Sequence, residues 1–220
     1  MFALLKTTDI KTMRNSRLEL DKQQNNPAMY RLAVGLVIGS RLGILITSTQ
    51  WLLADIFLSF LVGIVSFFLT FVPQALIQDR ALSTATRVCV SLLLCAHILL
   101  GMHLGLYETS IIYDKLMHIL GTGAITGLVL LVAVQYSHRR QLNLPQTFML
   151  LLVLGLAISA GTLWEVFEFV MDRTGLFYAQ RGLHDTMLDL IADAIGAIIT
   201  LALYAGIMRL NGFILKSRSY

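Results

Sequence analysis

The residues of this chain that could do chemistry fall into three sets at helical spacing. The stretch "GLHDTMLDLIADAIGAI" carries His184, Asp185, Asp189 and Asp193, its three acids recurring every four residues. "YDKLMH" sets Asp114 four residues before His118, and "WEVFEF" sets Glu165 three residues before Glu168, with Asp172 four further on. Each spacing puts its set on one face of a helix. Carboxylates joined by imidazole can bind a divalent cation: oxygen-rich shells suit Mg²⁺ or Mn²⁺, and an added imidazole admits Zn²⁺ or Fe²⁺. On this reading Asp114, His118, Glu165 and Asp189 hold the metal, and Glu168 or Asp185 is the general base beside an activated water. The spacings match neither the Glu-x-x-His pairs of di-iron bundles nor the His-Glu-x-x-His of zinc proteases, so no single metal is picked out.

The elements that must position these groups are membrane helices. Hydrophobic residues make up 56% of the 220 and charged ones only 14%, with a mean hydropathy of +0.74; soluble domains carry about a quarter charged residues. The expected fold is all-α, a polytopic helical bundle forming one domain over residues 28–208. Runs long enough to cross about 30 Å of hydrocarbon can be drawn at 28–48, 51–72, 88–106, 112–135, 147–170 and 185–208. Almost nothing separates the first two, so they should form a tight hairpin, and Pro73 should close the second. Residues 1–27 read as a basic cytoplasmic tail without the apolar core of a signal peptide, expected to stay on the mature protein. Residues 209–220 form a second cytoplasmic tail.

Lysine and arginine set an orientation. Thirteen of the seventeen fall in the N-terminal tail, the second and fourth loops and the C-terminus. Lys115, Arg173 and Arg181 fall on the other side, and Arg41 lies within the first span. The positive-inside rule then puts both termini in the cytoplasm of a cell whose inner (plasma) membrane holds the protein. The same asymmetry accounts for the basic pI, and no nucleic-acid patch is evident.

With that orientation the three polar sets lie at one level, in the outer half. They take seven of the thirteen acids. A charge facing lipid costs several kcal/mol, so such residues normally face a bundle interior and mark a site. Asp114, Asp172 and Asp185 can equally be ordinary helix-end acids favoured by the helix dipole. His118, Glu165, Glu168 and Asp189 lie deeper, and Asp193 deepest, where an ion pair with Arg41 or a protonated, hydrogen-bonded state would suit it. Arg41 could supply the counter-charge or bind an anionic substrate. His97 and His103 read as satisfied core histidines, Asp55 and Glu108 as helix-end acids, and Trp51 and Trp164 as an aromatic belt. Cys89 and Cys95 point apart on one helix and are packing residues. "GTGAITG" and "GLAISAG" supply small residues for close packing of the fourth helix against the fifth or sixth.

In this order the three motifs resemble the YjdF-like inner membrane proteins, a family of unknown function with signatures Y-D-x-x-x-H, E-x-x-E and W-D-T-x-x-D before a Gly-Ala pair. The matching positions are Tyr113, Asp114, His118, Glu165, Glu168, Asp185, Thr186, Asp189, Gly196 and Ala197. His184 stands where the family has an aromatic residue, and Asp193 where it tends to be apolar. A looser similarity is to VanZ-like membrane proteins. Both resemblances imply an envelope-facing membrane protein, without a reaction.

Three functions fit these residues. The first is a metal-dependent hydrolase or transferase working in the outer leaflet on a lipid or lipid-linked envelope substrate, with membrane lipids as its surroundings. The second is a proton- or cation-coupled transporter or small permease, although the inner halves of the last three helices hold no matching acids. The third is a scaffold whose acids bind only neighbouring helices.

Overall fold

The computed structural model describes residues 27–175 and 180–217, with side chains as far as Met208. The expectation for a retained basic tail concerns residues that lie almost wholly outside this range. Every element among the described residues is helical. Helix α1, Pro27–Leu53, turns back through residues 54–56 into α2, Phe57–Leu69. A one-turn helix α3, Val72–Leu76, follows, with Pro73 in its first turn, where a missing N–H costs no helical bond. Helix α4, Arg80–Cys95, runs on through a wide-turn π segment, Ala96–His103. A short α5, Leu106–Thr109, leads into the three long helices that carry the acids: α6 Ile111–Arg139, α7 Gln146–Arg173 and α8 Leu183–Ser217.

Six helical stretches are long and apolar enough to cross a bilayer: Pro27–Leu53, Phe57–Leu76, Arg80–His103, Ile111–Arg139, Gln146–Arg173 and Leu183–Met208. Within each, only 17–28% of the most apolar window is buried against the rest of the chain. The remaining apolar surface, including Ile112, Leu163 and Leu183, needs lipid around it.

Of the boundaries that differ from the sequence reading, two have clear local reasons. The first turn falls at 54–56, not 49–50. The Thr49 hydroxyl bonds back to the Leu45 carbonyl at 2.9 Å and keeps "TSTQ" helical, and Asp55 takes the left-handed conformation at φ 59° that reverses the chain. The third span begins at Arg80 rather than 88, because the Asp79 carboxylate caps the Leu82 N–H at 3.0 Å. Thr84 and Thr86 turn their hydroxyls back to the carbonyls of Arg80 and Leu82, so this polar stretch stays in the helix. Trp51 is also placed differently. It is buried with Ile44 and Ile98 in the apolar core of α1, α2 and α4, and does not form part of a belt.

A second apolar core, of Leu130, Val153 and Leu201, ties α6, α7 and α8 together. Small residues let these helices approach. A Cβ on Gly196 would collide with the Ile119 carbonyl oxygen, and Thr200 Oγ1 donates across to Gly123 O at 3.3 Å. Gly161 leaves room for the Asp193 carboxylate.

Candidate functional site

α6 and α8 begin, and α7 ends, at the same end of the bundle, so the N-terminal turns of the first two meet the last turns of the third. Ser110 caps the Tyr113 N–H at 3.2 Å and starts α6, which puts Asp114 in its first turn; Asp185 is in the first turn of α8. Both acids sit at the positive end of a helix dipole. Gly182, at φ 110°, turns the chain just before α8, and Arg181 beside it brings a guanidinium nitrogen to 3.8 Å from Asp114 Oδ2.

His118 is the centre of the cluster. Its Nδ1 lies 3.2 Å from Asp193 Oδ1, and its Nε2 lies 3.4 Å from Asp189 Oδ1, 3.7 Å from Glu165 Oε1 and 4.0 Å from Asp114 Oδ1. Asp193 also accepts from Thr122 Oγ1 at 2.5 Å. His118, Glu165, Asp189 and Asp193 are all buried. Both Glu165 oxygens and Asp193 Oδ2 are buried without a hydrogen bond of good geometry among the described residues, although the Thr186 side chain and His118 Nε2 lie near Glu165. Leaving such atoms unpaired is costly, and a cation or proton beside them offsets that cost.

The structure therefore gathers all four expected ligands, Asp114, His118, Glu165 and Asp189. The first, second and fourth each offer an atom within 4.8 Å of the others. Asp185 joins them through an ion pair. Glu168 sits apart, one turn further along α7, where its Oε1 accepts from Trp164 Nε1 at 2.8 Å. Asp172 accepts from the Gln180 N–H at 2.9 Å at the end of α7, and His184 is exposed outside the cluster.

One central residue was missed by sequence reasoning. Lys115 Nζ lies 2.6 Å from Asp185 Oδ1, 2.6 Å from Asp189 Oδ1 and 3.2 Å from Asp114 Oδ2. By spacing alone a lysine this near a helix end reads as a topology charge; its place next to Asp114 and three residues before His118 is the one signal in the sequence that links it to the acids. Arg41, expected as the counter-charge, is elsewhere. Its guanidinium donates to Thr70 Oγ1 at 2.8 Å and to Thr70 O at 3.1 Å, and stacks on Phe71 at 3.6 Å. Five carboxylates thus converge on one ammonium, one partly exposed guanidinium and one imidazole.

An aromatic group lies alongside. His97 Nδ1 is 2.7 Å from Tyr107 Oη, and the His97 ring packs edge-on against Trp164. Tyr113 Oη donates to Ala96 O at 2.9 Å at the start of the π segment. Burial pushes the Tyr107 phenol well above its ordinary range, so it stays protonated and can donate to His97.

Six apolar helices and a buried cluster of acids around one histidine define a multi-pass membrane protein with a polar site inside its bundle. The chain belongs to the family described as "Predicted membrane protein (DUF2238)", whose model matches residues 29–210. The motif resemblance to YjdF-like proteins is consistent with that family. An uncharacterized protein of Thermotoga maritima is 32% identical over 121 residues, which is 54% of this chain and 62% of that relative. No solved structure matches the chain.

Proposed function

We propose that this protein is an inner-membrane enzyme that holds a divalent cation among Asp114, His118, Glu165 and Asp189 and hydrolyses or transfers a group of a lipid or lipid-linked envelope substrate. The observation that carries this reading is the two-sided environment of His118. Asp193 lies at Nδ1 and three carboxylates lie around Nε2; with a proton on Nδ1 donated to Asp193, Nε2 would be free to bind a cation held among those carboxylates, the arrangement by which proteins orient a metal-binding imidazole. The unpaired oxygens of Glu165 supply further ligand capacity. When bound, the ion would lower the pKa of a water and stabilise negative charge on the substrate.

The remaining groups have separable tasks. Lys115 offsets part of the charge of Asp114, Asp185 and Asp189 and leaves Asp114 Oδ1 facing His118. Of the two expected general bases, Asp185 is engaged by the lysine, while Glu168 has a hydrogen bond from Trp164 and no ion pair among the described residues. Glu168 is therefore the preferred base. Arg80, Arg87, Arg139 and Arg140 lie at the opposite end of the bundle from the acids. By the positive-inside rule that end faces the cytoplasm, with both termini, and the cluster lies in the outer half.

The test combines metal analysis of purified full-length protein with lipid analysis of cells expressing wild type or Asp189→Ala. Wild type should carry close to one divalent ion per chain, and the variant should keep its helical content, lose the ion and change an envelope lipid. Wild type that holds no divalent ion, or an unchanged lipid profile, would count against the reading.

A proton- or cation-coupled transporter is the second reading, and the Lys115 clamp on three carboxylates is what favours it. The far halves of α6, α7 and α8 meet in the apolar core of Leu130, Val153 and Leu201, which offers an ion no continuing path. Flux in proteoliposomes abolished by Glu168→Gln would reverse the ranking.

A further inference from the structure

At the end of the bundle opposite the acids, α1, α3 and α4 enclose an open cleft of about 390 Å³. Its walls include Tyr30 from α1, Gln74 from α3, Gln78 just beyond it, and Arg80 and Arg87 from α4. Hydrogen bonds tie its walls together. Arg87 Nη1 donates to Gln74 Oε1 at 2.9 Å, and the Gln78 N–H donates to Gln135 Oε1 of α6 at 2.9 Å. Arg87 Nε is buried and has no acceptor among the described residues. No described carboxylate lies within ion-pair distance of Arg80 or Arg87. The nearest acid, Asp79, is taken up in capping Leu82.

Two guanidiniums seven residues apart on one face of α4, one with a buried N–H lacking an acceptor, in a cleft rimmed by amides and a phenol, match the donor requirements of a phosphate-bearing anion. We infer that this cleft binds a phosphate group, with Arg80 and Arg87 as its principal donors. The group can belong to an anionic lipid headgroup, since Arg80 begins a membrane span, or to inorganic phosphate. The site is separate from the acid cluster and does not depend on the function proposed for it.

The full chain in nanodiscs supplies the test. Native mass spectrometry counts phosphatidylglycerol retained from phosphatidylcholine discs doped with it, and calorimetry measures inorganic phosphate binding. Arg80→Gln/Arg87→Gln should lower retention or affinity by about tenfold or more, while Arg139→Gln, a basic residue outside the cleft, should leave both unchanged. Arg87→Lys should fall in between, because a lysine keeps the charge but not the forked donors, and it serves as the readout if the double variant fails to fold. Lipid retention without phosphate binding assigns a headgroup site, and the converse assigns a soluble anion. Binding of neither, or equal losses in Arg139→Gln and the cleft variants, overturns the inference.

Discussion

His118 of α6 and Asp193 of α8 meet Nδ1 to Oδ1 at 3.2 Å, and Thr122 Oγ1 donates to the same oxygen at 2.5 Å. Helix packing thus holds the imidazole with Asp193 on its Nδ1 side and the other carboxylates on its Nε2 side, and Gly161 of α7 leaves the space into which the Asp193 carboxylate fits. Asp193→Asn replaces the charged acceptor with a neutral amide, and groups in this position typically contribute 10–100-fold to metal affinity. Competition titration against a chromophoric chelator should show weakening of about tenfold, with a smaller effect for Thr122→Val. Unchanged affinity in Asp193→Asn would remove Asp193 from the site.

Lys115 stabilises the cluster while no other cation is present. Lys115→Met leaves Asp185 and Asp189 without their ammonium, and breaking a largely buried pair costs about 3 kcal/mol. Thermal unfolding should show a lower Tm for this variant, and millimolar Mg²⁺ or Mn²⁺ should restore more of it than in wild type. A Tm deficit that divalent ions do not reduce would argue that the carboxylates respond to the lysine alone.

Close approach of α6 and α8 holds His118 opposite Asp193. Gly196→Ala places a methyl group against the Ile119 carbonyl oxygen, and overpacking of this kind costs about 1–3 kcal/mol. Gly155→Ala is the control, since nothing lies within 4 Å of the added atom. Unfolding midpoints should fall for the first and stay level for the second; equal midpoints would mean that the contact yields.

The helices and the three acid stripes were legible in the sequence because membrane burial and charge cost write themselves into residue type and spacing. What spacing could not reveal was pairing between helices. The partner of Asp193 is His118 and not Arg41, since the middle of α1 packs against the end of α2, where Arg41 finds Thr70 and Phe71. Lys115 was hidden by its position near a helix end, where a lysine reads as a topology signal. Trp51, near a helix end, has the position of a belt residue, but it packs inward against Ile44 and Ile98, which residue type and depth do not reveal. The His97–Tyr107 pair depends on the π segment and the short α5 that follow no repeat in the sequence.

Glu168 separates binding from chemistry. Its carboxylate bonds to Trp164, outside the group around His118, so Glu168→Gln should hold metal as wild type does while the change in envelope lipid matches that of Asp189→Ala. Metal loss in Glu168→Gln would make it a ligand, and a wild-type lipid profile would exclude it as the base.

In the proposed function His118 Nε2 and the surrounding carboxylates form one divalent-cation site. Its most direct test is Mn²⁺ titration of the full-length protein in nanodiscs, followed by electron spin-echo spectroscopy. Wild type should hold one tightly bound Mn²⁺ per chain with a coupled imidazole nitrogen, and His118→Gln should lose that coupling. Folded wild-type protein that takes up no Mn²⁺ or Zn²⁺, or that binds Mn²⁺ without nitrogen coupling, would contradict it.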